Sequence, residues 1–326
     1  MTVTDTHHYP EGWYAIERSA RVRRRPVGVR RFGLDLTLWR DTDGTIACVP
    51  SPCPHRGADL SQGNVHDGAL VCHYHGFAFG ADGGCRHVPC DGPDARRPPR
   101  LRTTPRPVRE EHGLVWTWWG AGEPADGPVP WFDDLHDDPG QAVVSLEYGC
   151  HLSRFMENTF DVHHFAHVHR WVLPTAGSHV TLTESGADGD RISIAGSLTA
   201  LPGERGRRPM DFHIRARFPT TVHLRLAGTE FVVMAAPIDD RHTWVAARYY
   251  LRQLGSGRVA RAASWLFAQA DAQIAQRQDR RVLDAIRPVV GGPHENVLAR
   301  ADRGVSLWYR LATATERAVD VRARAG

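Results

Sequence analysis

The sequence predicts an α+β protein in which an N-terminal all-β domain precedes a domain built from an antiparallel sheet with flanking helices. The first 120 residues contain short, alternating apolar runs separated by tight turns, a pattern typical of small sandwiches and barrels. Beyond residue 140, strand-like segments are followed by long helical stretches. The stretch between them is rich in Pro, Gly and Asp, so we predict domains over 12–120 and 141–326 and a linker over 121–140.

Turn signals define the strands of the first domain. The segment "LDLTLWRDTDGTIACV" (34–49) places two alternating apolar runs on either side of Asp43-Gly44, which predicts a hairpin. The segment "GFAFGADGGCRHV" repeats this pattern around Asp82-Gly83, and "GLVWTWWG" (113–120) predicts a buried closing strand.

The second domain combines both kinds of element. Residues 151–171 are predicted to be helical through most of their length, and 258–287 form a long helical stretch before a short strand or turn and a last helix. Between about 180 and 252, turn residues separate four strand-like segments, "RISIAGSLTAL", "TTVHLRLA", "TEFVVMAAP" and "TWVAARYYL".

Composition excludes several classes of protein. The 40 basic and 37 acidic residues leave a net charge of +3, which argues against a nucleic-acid binder. The start, "MTVTDTHHYPEGWY", lacks the apolar core of a signal peptide, and no apolar run approaches the ~18 residues of a membrane span. Six cysteines in 326 residues are too sparse for a disulfide scaffold. We therefore expect a soluble, cytoplasmic protein with reduced thiols.

The segment "CPHRGADLSQGNVHDGALVCHYH" (53–75) carries two regularly spaced ligand pairs. Cys53 and His55 form the first pair, and Cys72 and His75 form the second. Two Cys and two His could bind one zinc ion, or a [2Fe–2S] cluster with both Cys on one iron and both His on the other. Zinc fingers usually place Cys with Cys and His with His, so the mixed order favours the cluster. The remaining cysteines have no such spacing and are expected to be free thiols: Cys48, Cys85, Cys90 and Cys150.

The segment "ENTFDVHHFAHVHRW" (157–171) places four His within seven positions. Two His and one carboxylate form the usual site of non-haem Fe(II), which leaves positions open for O₂ and substrate. His163 and His167 are four residues apart and would share a helical face. His164 and His169 are five apart and would need a bulge or a helix end between them. Spacing alone leaves the pair undecided.

The helical stretch 258–287 offers the acid of such a site. Asp284 lies among arginines, which indicates a solvated position. Asp279 shares a face with Ala275, Val282, Leu283 and Ile286, and an acid on that face needs a reason to be there. Asp271 is similarly flanked by Phe267 and Ile274, so periodicity does not separate it from Asp279.

These segments resemble a known family. "CPHRGADLS" and "CHYHGFAFG" resemble the two cluster-binding loops of Rieske domains, and "EN..D..H....H" is similar to the signature of the Rieske non-haem iron oxygenases. "QDRRVLDAIRP" resembles the segment that supplies the family's acidic iron ligand. The likeness extends from about Trp13 to Arg310 and is strongest to catalytic α components of the compact monooxygenase and O-demethylase branch.

The resemblance implies a fold and a set of ligands. The fold is an N-terminal Rieske [2Fe–2S] domain followed by a helix-grip-like catalytic domain. In register with the family, one Rieske cluster would be bound by Cys53, His55, Cys72 and His75, and one mononuclear Fe(II) by His164, His169 and Asp279. In a homotrimer, Asp161 would connect His164 to the neighbouring chain's His75 and act as an electron-transfer bridge.

The implied function is that of a terminal oxygenase component with O₂ as cosubstrate. It would hydroxylate or oxidatively demethylate a hydrophobic, ring-containing small molecule. Electrons would come from NAD(P)H through a separate reductase, with or without a ferredoxin, because the chain shows no GxGxxG fingerprint. Two alternatives are a cis-dihydroxylating aromatic-ring dioxygenase and a Rieske electron-transfer protein without a functional mononuclear iron.

The substrate pocket is expected between the sheet of 180–252 and the helices around it. Its candidate walls, each of which could equally belong to the core, are Phe160, Phe165, Trp171, Met234 and Tyr249.

Overall fold

The computed structural model divides the chain into two compact units. It describes residues 9–92, 98–120, 124, 126–136, 142–170, 177–206, 208–226, 228–251 and 257–325, with side chains up to Thr315. One unit is Trp13–Trp118, and the other comprises the residues up to Gly12 together with Trp119–Gly326. The mixed α+β architecture predicted from the sequence is confirmed, with an all-β N-terminal unit.

The N-terminal unit contains three sheets and, among its described residues, no α-helix. The sheets have the orders β1-β10-β9, β2-β3-β4 and β5-β6-β7-β8. The strands are β1 Gly12–Arg18, β2 Val27–Arg31, β3 Leu34–Arg40, β4 Ile46–Pro50, β5 Asn64–His66, β6 Ala69–Val71, β7 Ala78–Phe79, β8 Cys85–His87, β9 Val108–Glu111 and β10 Leu114–Trp119.

Both predicted hairpins of this unit are present. β3 and β4 pair with Trp39 opposite Ala47, and their turn contains Gly44 at φ +80°. β7 and β8 are joined by a turn in which Gly83 has a φ of +75°. A Cβ on Gly83 would lie 2.3 Å from the carbonyl oxygen of Thr103, so both the backbone angle and the close approach require glycine here.

The core of this unit lies directly beneath the two loops that carry the cysteine and histidine pairs. Trp39, Leu70 and Phe79 are completely buried in one apolar cluster, which also includes Cys53 and Cys72. The thiols therefore belong to the packed interior, and the loops have little freedom to move away from it.

The second unit is built on a seven-stranded antiparallel sheet with the order β11-β17-β16-β15-β14-β13-β12. The four predicted strands are present, and three further strands, β11, β12 and β14, complete the sheet. The bounds are β11 Ala142–Tyr148, β12 His179–Asp188, β13 Arg191–Thr199, β14 Met210–Arg217, β15 Thr221–Leu226, β16 Thr229–Asp239 and β17 His242–Tyr249.

The described residues of this unit also form α-helices, most of which contact the sheet. They are α1 Leu152–Phe160, α2 His164–His167, α3 Arg258–Leu283 and α4 Arg303–Ala325. Alternate residues of β13, including Ile192, Ile194 and Leu198, are buried, as expected of a strand with one covered face. A Cβ on Gly304 would lie 2.8 Å from Cδ1 of Ile194, so glycine allows α4 to lie close to this strand.

The prediction that 151–171 is helical through most of its length is confirmed by α1 and α2, but the helix is interrupted at Asp161. Asp161 has an extended backbone (φ −77°, ψ 113°), and its Oδ1 accepts a hydrogen bond from the amide of His163 at 2.7 Å. Such a local side-chain bond competes with helical hydrogen bonding, so α1 ends at Phe160 and α2 begins only at His164.

The inward face of α3 also differs in part from the expected one. Its buried residues follow four- and three-residue steps through Ser264, Ala268, Ala272, Gln276, Asp279 and Leu283. Val282 and Ile274 were expected beside the candidate acids on inward faces, but they are 39% and 44% exposed. Small side chains in the buried stripe leave room for the helix to lie close to the sheet.

Candidate metal centres

The two cysteine-histidine loops of the N-terminal unit have the same backbone turn. The amide of Gly57 donates to the carbonyl of Cys53 at 2.7 Å, and the amide of Gly76 donates to the carbonyl of Cys72 at 2.9 Å. Both glycines have a positive φ, of +75° and +73°. The amide of each cysteine in turn donates to the carbonyl five residues later, at 2.8 Å in both loops. Each loop is thus a tight turn that presents one thiol and one imidazole.

The thiols and the imidazoles of these loops differ in exposure. Cys53 and Cys72 are 3% and 2% exposed, whereas His55 and His75 lie on the surface. Burial raises the pKa of the Cys53 thiol to about 11, and the adjacent Cys72 adds to this effect. The imidazole rings of His55 and His75 lie 4.9 Å apart between centroids. A cation between the loops would offset the cost of the buried thiolates.

The spacing of these four ligands differs from that of a single zinc ion. A tetrahedral zinc ion with Zn–S and Zn–N bonds of the usual length would hold its ligand atoms roughly 3.3–3.8 Å apart. Among the described residues, only one group of three or more candidate ligands has its atoms within 4.8 Å of one another, and it lies in the other unit. The separation of the four loop ligands is therefore compatible with a larger group than one ion.

That compact group consists of His164, His169 and Asp279. The end of α2 lies between the two histidines, as their five-residue spacing requires. His164 is the first residue of α2, and His169 lies two residues beyond its last residue, His167. Their Nε2 atoms lie 3.2 Å apart. His167 is exposed, and His163 takes no part in the group.

The hydrogen bonds of the two imidazoles fix which nitrogen carries the proton. Nδ1 of His164 lies 2.6 Å from the carbonyl oxygen of Asp161, and Nδ1 of His169 lies 2.7 Å from Oε1 of Gln278. Each Nδ1 therefore donates, which leaves a lone pair on each Nε2 in the neutral rings. Two lone pairs 3.2 Å apart repel each other unless a cation lies between them.

Asp279 completes this group from α3. Its Oδ1 lies 3.2 Å from Nε2 of His169 and 3.9 Å from Nε2 of His164. The helix is held beside β11 by Gln276 and Arg280, which both donate to the carbonyl oxygen of Glu147, at 2.7 and 2.8 Å. The residues on either side of the acid thus fix its position along the sheet.

The surroundings of Asp279 fit a metal ligand. The residue is 6% exposed, and its Oδ1 makes no hydrogen bond within the described chain. A buried carboxylate oxygen without a partner is costly, and a cation would satisfy it. Asp271, the alternative that the sequence left open, lies outside the group and hydrogen-bonds to Tyr249.

Electrostatics differ between the two histidines. Burial lowers the pKa of His164, and the nearby carboxylates of Asp161 and Asp279 only partly oppose this. Burial also lowers the pKa of His169, but the carboxylate of Asp279 and the side chain of Gln278 outweigh it, and the pKa rises overall.

The sequence analysis did not identify Gln278. This residue precedes Asp279 and orients His169 through the 2.7 Å hydrogen bond to its Nδ1. Partners of this kind fix the tautomer of a ligating imidazole. The only signal in the sequence was its position next to the candidate acid, and a polar residue on a helix is too common to single out.

Glu157, the first residue of the "EN" pair, has a structural role. Its carboxylate accepts from Arg154 at 2.7 Å, from Asn296 at 2.6 Å, and from the hydroxyl of Tyr309. Arg154 is 2% exposed and also donates to the carbonyl of Pro288. This buried network ties α1 to the segment before α4 and so holds the start of the histidine segment in place.

A cavity of about 120 Å³ lies beside the His164, His169 and Asp279 group. An adjoining space of about 100 Å³ shares several of its walls. Of the candidate wall residues, Phe165 and Tyr249 line the cavity, whereas Phe160 and Met234 are completely buried and do not. Trp171 falls outside the described residues.

Comparisons with known proteins show a family match in the N-terminal unit and relatives that align with about half of the chain. Residues 12–105 match the family described as the Rieske [2Fe–2S] domain. The chain is 36% identical over 164 residues to 4beta-methylsterol monooxygenase of Methylococcus capsulatus, covering 48% of this chain and 44% of that protein. It is 35% identical over 162 residues to the oxygenase component of dicamba O-demethylase of Stenotrophomonas maltophilia, covering 48% and 47%. Each match spans less than half of the relative's length.

Solved structures extend the likeness to the whole fold. A structure of NdmA from Pseudomonas putida CBB5, titled as a QL mutant with theobromine, superposes with a TM-score of 0.72 at 17% identity. The superposition covers 93% of this chain and 90% of that one. Among the residues that the structure describes, no helix has the length and apolarity needed to span a membrane.

Proposed function

We infer that this chain, which carries a Rieske [2Fe–2S] domain and shares the fold of the Rieske oxygenases, is the terminal oxygenase component of a Rieske non-haem iron oxygenase system. We propose that it activates O₂ to hydroxylate, or oxidatively demethylate, a hydrophobic, ring-containing small molecule. The relatives it resembles include proteins named as a monooxygenase and as O-demethylases, which favours monooxygenation.

One observation carries this proposal. Two imidazole lone pairs and one carboxylate oxygen converge within 4.8 Å, at the wall of a cavity lined by apolar side chains. Two His and one carboxylate are the usual donors of non-haem Fe(II), and they leave coordination positions open. We therefore assign His164, His169 and Asp279 as the ligands of one mononuclear Fe(II).

The N-terminal unit would hold the second group. We assign Cys53, His55, Cys72 and His75 as ligands of one Rieske [2Fe–2S] cluster, in accord with the match over residues 12–105. When bound, the cluster and the iron supply electron storage and O₂ activation, respectively. The chain's own contribution is to hold the ligands, to exclude water from the apolar cavity and to position the substrate.

We propose that the electrons come from NAD(P)H through a separate reductase, with or without a ferredoxin. We further propose a cytoplasmic homotrimer in which Asp161 bridges His164 to His75 of the partner subunit. In support of this role, Oδ2 of Asp161 lies 3.7 Å from Nδ1 of His164 and the side chain is partly exposed. Nδ1 of His164 donates to the backbone carbonyl of Asp161, so Oδ2 of the partly exposed carboxylate can accept a hydrogen bond from a second imidazole.

Two alternatives are less well supported. A cis-dihydroxylating dioxygenase would use the same ligands, and it differs only in its product. An electron-transfer protein without mononuclear iron would have no need for two facing imidazole lone pairs and an unpartnered carboxylate oxygen. A structure with an abandoned iron site would tend to satisfy that oxygen with a hydrogen bond.

Metal analysis of anaerobically purified protein tests the proposal. About three irons and two acid-labile sulfides per chain are expected, given the two ligand sets. Two irons and two sulfides that persist after addition of Fe(II) would support the electron carrier instead. Product analysis under ¹⁸O₂ in a reconstituted reductase assay then separates the oxygenases: one labelled oxygen indicates monooxygenation, and two indicate dioxygenation.

A further inference from the structure

The cavity beside the candidate iron ligands is mainly apolar. Apolar side chains from the sheet and the helices form most of its surface, including Leu146, Phe165, Leu224, Phe231 and Val245. An engineered apolar cavity of about 150 Å³ accommodates benzene. The spaces of about 120 and 100 Å³ meet at shared walls, so together they have room for a substituted single ring.

One carboxyl group interrupts these walls. Asp271 lines both parts of the cavity, and Oδ2 of this residue accepts a hydrogen bond from the hydroxyl of Tyr249 at 2.8 Å. Tyr249 is 3% exposed and lines the main cavity as well. Because the only hydroxyl proton of Tyr249 is directed to Asp271, both groups offer acceptor lone pairs to a molecule in the cavity.

The charges of the described residues that line the cavity favour a cation or a hydrogen-bond donor over an anion. Apart from His164 and His169, no basic side chain lines either part of the cavity among the residues described. Besides Asp279, the other polar residues that line the main cavity are Tyr148, Asn158 and Thr159. Burial raises the pKa of Asp271, and the hydrogen bond from Tyr249 opposes this only in part. The carboxyl group therefore gains from a second donor.

We propose that Asp271 is a specificity-determining residue that selects ring compounds bearing a hydrogen-bond donor, above all a protonated amine, and disfavours acids. The inference rests on the proposed function, since it describes the substrate that this cavity would hold beside the iron ligands. The hydroxyl of Tyr249 donates its only proton to Asp271, so the carboxylate, and not the tyrosine, is the selecting group.

A purely structural role for the Asp271 and Tyr249 pair predicts a different pattern of ligand binding. A pair that only stabilised the fold would affect all ligands of the cavity alike. A carboxylate that contacts the substrate strengthens the binding of cations, changes that of neutral molecules little and weakens that of anions. Binding of three probes with the same ring separates these cases, and it requires no turnover.

The experiment measures binding of benzylamine, toluene and benzoate to the iron-loaded protein by ligand-observed NMR titration. Asp271→Asn is expected to weaken benzylamine binding at least about tenfold, as for loss of a charge-assisted hydrogen bond. Toluene should bind within about twofold of the wild-type value, and benzoate should bind more tightly. Comparing variant with wild type for each probe cancels any direct contact of benzoate with the metal.

Two further variants keep the result interpretable. Asp284→Asn removes the same charge from an exposed position just after α3, and it should change none of the three affinities by more than about twofold. Tyr249→Phe keeps the carboxylate and should retain the preference for benzylamine. If Asp271→Asn fails to fold, the Tyr249→Phe protein alone tests whether the amine is still preferred over toluene and benzoate.

Equal effects of Asp271→Asn on all three probes would overturn the inference, and so would failure of every probe to bind the wild-type protein. If Tyr249→Phe abolished the preference for the amine, the carboxylate of Asp271 would not be the selecting group. These outcomes are independent of the proposed function, which fails only if the iron and sulfide contents or the ¹⁸O₂ products disagree with it.

Discussion

The two candidate centres are assembled in opposite ways. The cysteine-histidine loops lie within 23 consecutive residues, and each is a self-contained turn closed by a glycine amide. The His164, His169 and Asp279 group joins a broken helix to a second helix more than 100 positions later. The first centre depends on local backbone geometry, and the second depends on the packing of the whole C-terminal unit. Substitutions should therefore have local effects in one unit and distributed effects in the other.

The largest effect is expected from Cys72→Ser in the N-terminal unit. Cys72 is 2% exposed, and replacing its thiol with a hydroxyl removes a soft ligand that an iron–sulfur cluster prefers. We expect loss of the visible absorption of the cluster, measured by spectroscopy, and a fall in turnover below about 1% of wild type. Cys90→Ser, at an exposed cysteine of the same unit, is the matched control. A coloured, active Cys72→Ser protein would contradict the assignment.

His164→Ala tests the second centre in the same way. Loss of this imidazole should reduce turnover below about 1% of wild type, because the iron loses a ligand. The cluster spectrum should not change, since its ligands belong to the other unit. His167→Ala, on the exposed side of the same short helix, should leave both properties near wild type. Loss of the cluster spectrum in His164→Ala would show that the two centres are not independent.

Gln278→Leu should have a smaller effect on the second centre. The substitution removes the hydrogen bond to Nδ1 of His169 while keeping the volume of the side chain. Such orienting partners contribute about 10- to 100-fold in metal affinity. Competitive titration with a chelator measures the loss, and Gln273→Leu on the exposed side of α3 is the control. Equal affinities of the two variants would show that Gln278 does not orient the ligand.

The smallest effect concerns acid stability. Burial and Arg215 lower the pKa of His223 to about 4, although Glu230 accepts a hydrogen bond from this imidazole at 3.0 Å. The unfolded chain takes up a proton near pH 6.5 and the folded chain only near pH 4, so stability falls as the pH is lowered between these values. We expect a loss of about 1–2 kcal/mol in the free energy of unfolding, allowing for screening.

His223→Gln should remove part of this pH dependence. Denaturant unfolding between pH 7 and pH 4 measures it, with His242→Gln at an exposed position of the same sheet as control. Parallel pH profiles for wild type and His223→Gln would show that His223 does not contribute.

The sequence predicted most of what depends on local pattern. The hairpins around Gly44 and Gly83 followed from turn chemistry, because a glycine at positive φ is a requirement of the turn itself. The ligand loops were predicted from the spacing of their cysteine and histidine pairs. The long helix α3 and the last helix followed from periodicity.

What could not be predicted depends on packing. The break at Asp161 arises from one side-chain hydrogen bond that competes with the helix, which periodicity does not detect. Helical periodicity gave Asp271 and Asp279 equally inward positions on α3. The contacts of Gln276 and Arg280 with β11 determine that Asp279 is the acid that reaches the histidines. Gln278 has no pattern of its own, since its role exists only in the folded unit.

The distance along the chain between His169 and its partners on α3 has a mechanical consequence. A cation shared by His164, His169 and Asp279 would act as a cross-link that closes a loop of more than 100 residues containing most of the sheet. Closing a loop of that length restricts the unfolded chain, as a disulfide does, and the stabilisation by the metal would grow with the logarithm of its free concentration above the dissociation constant. Removing it by chelation should loosen α3 first, and hydrogen exchange would show this helix fraying before the strands beneath it.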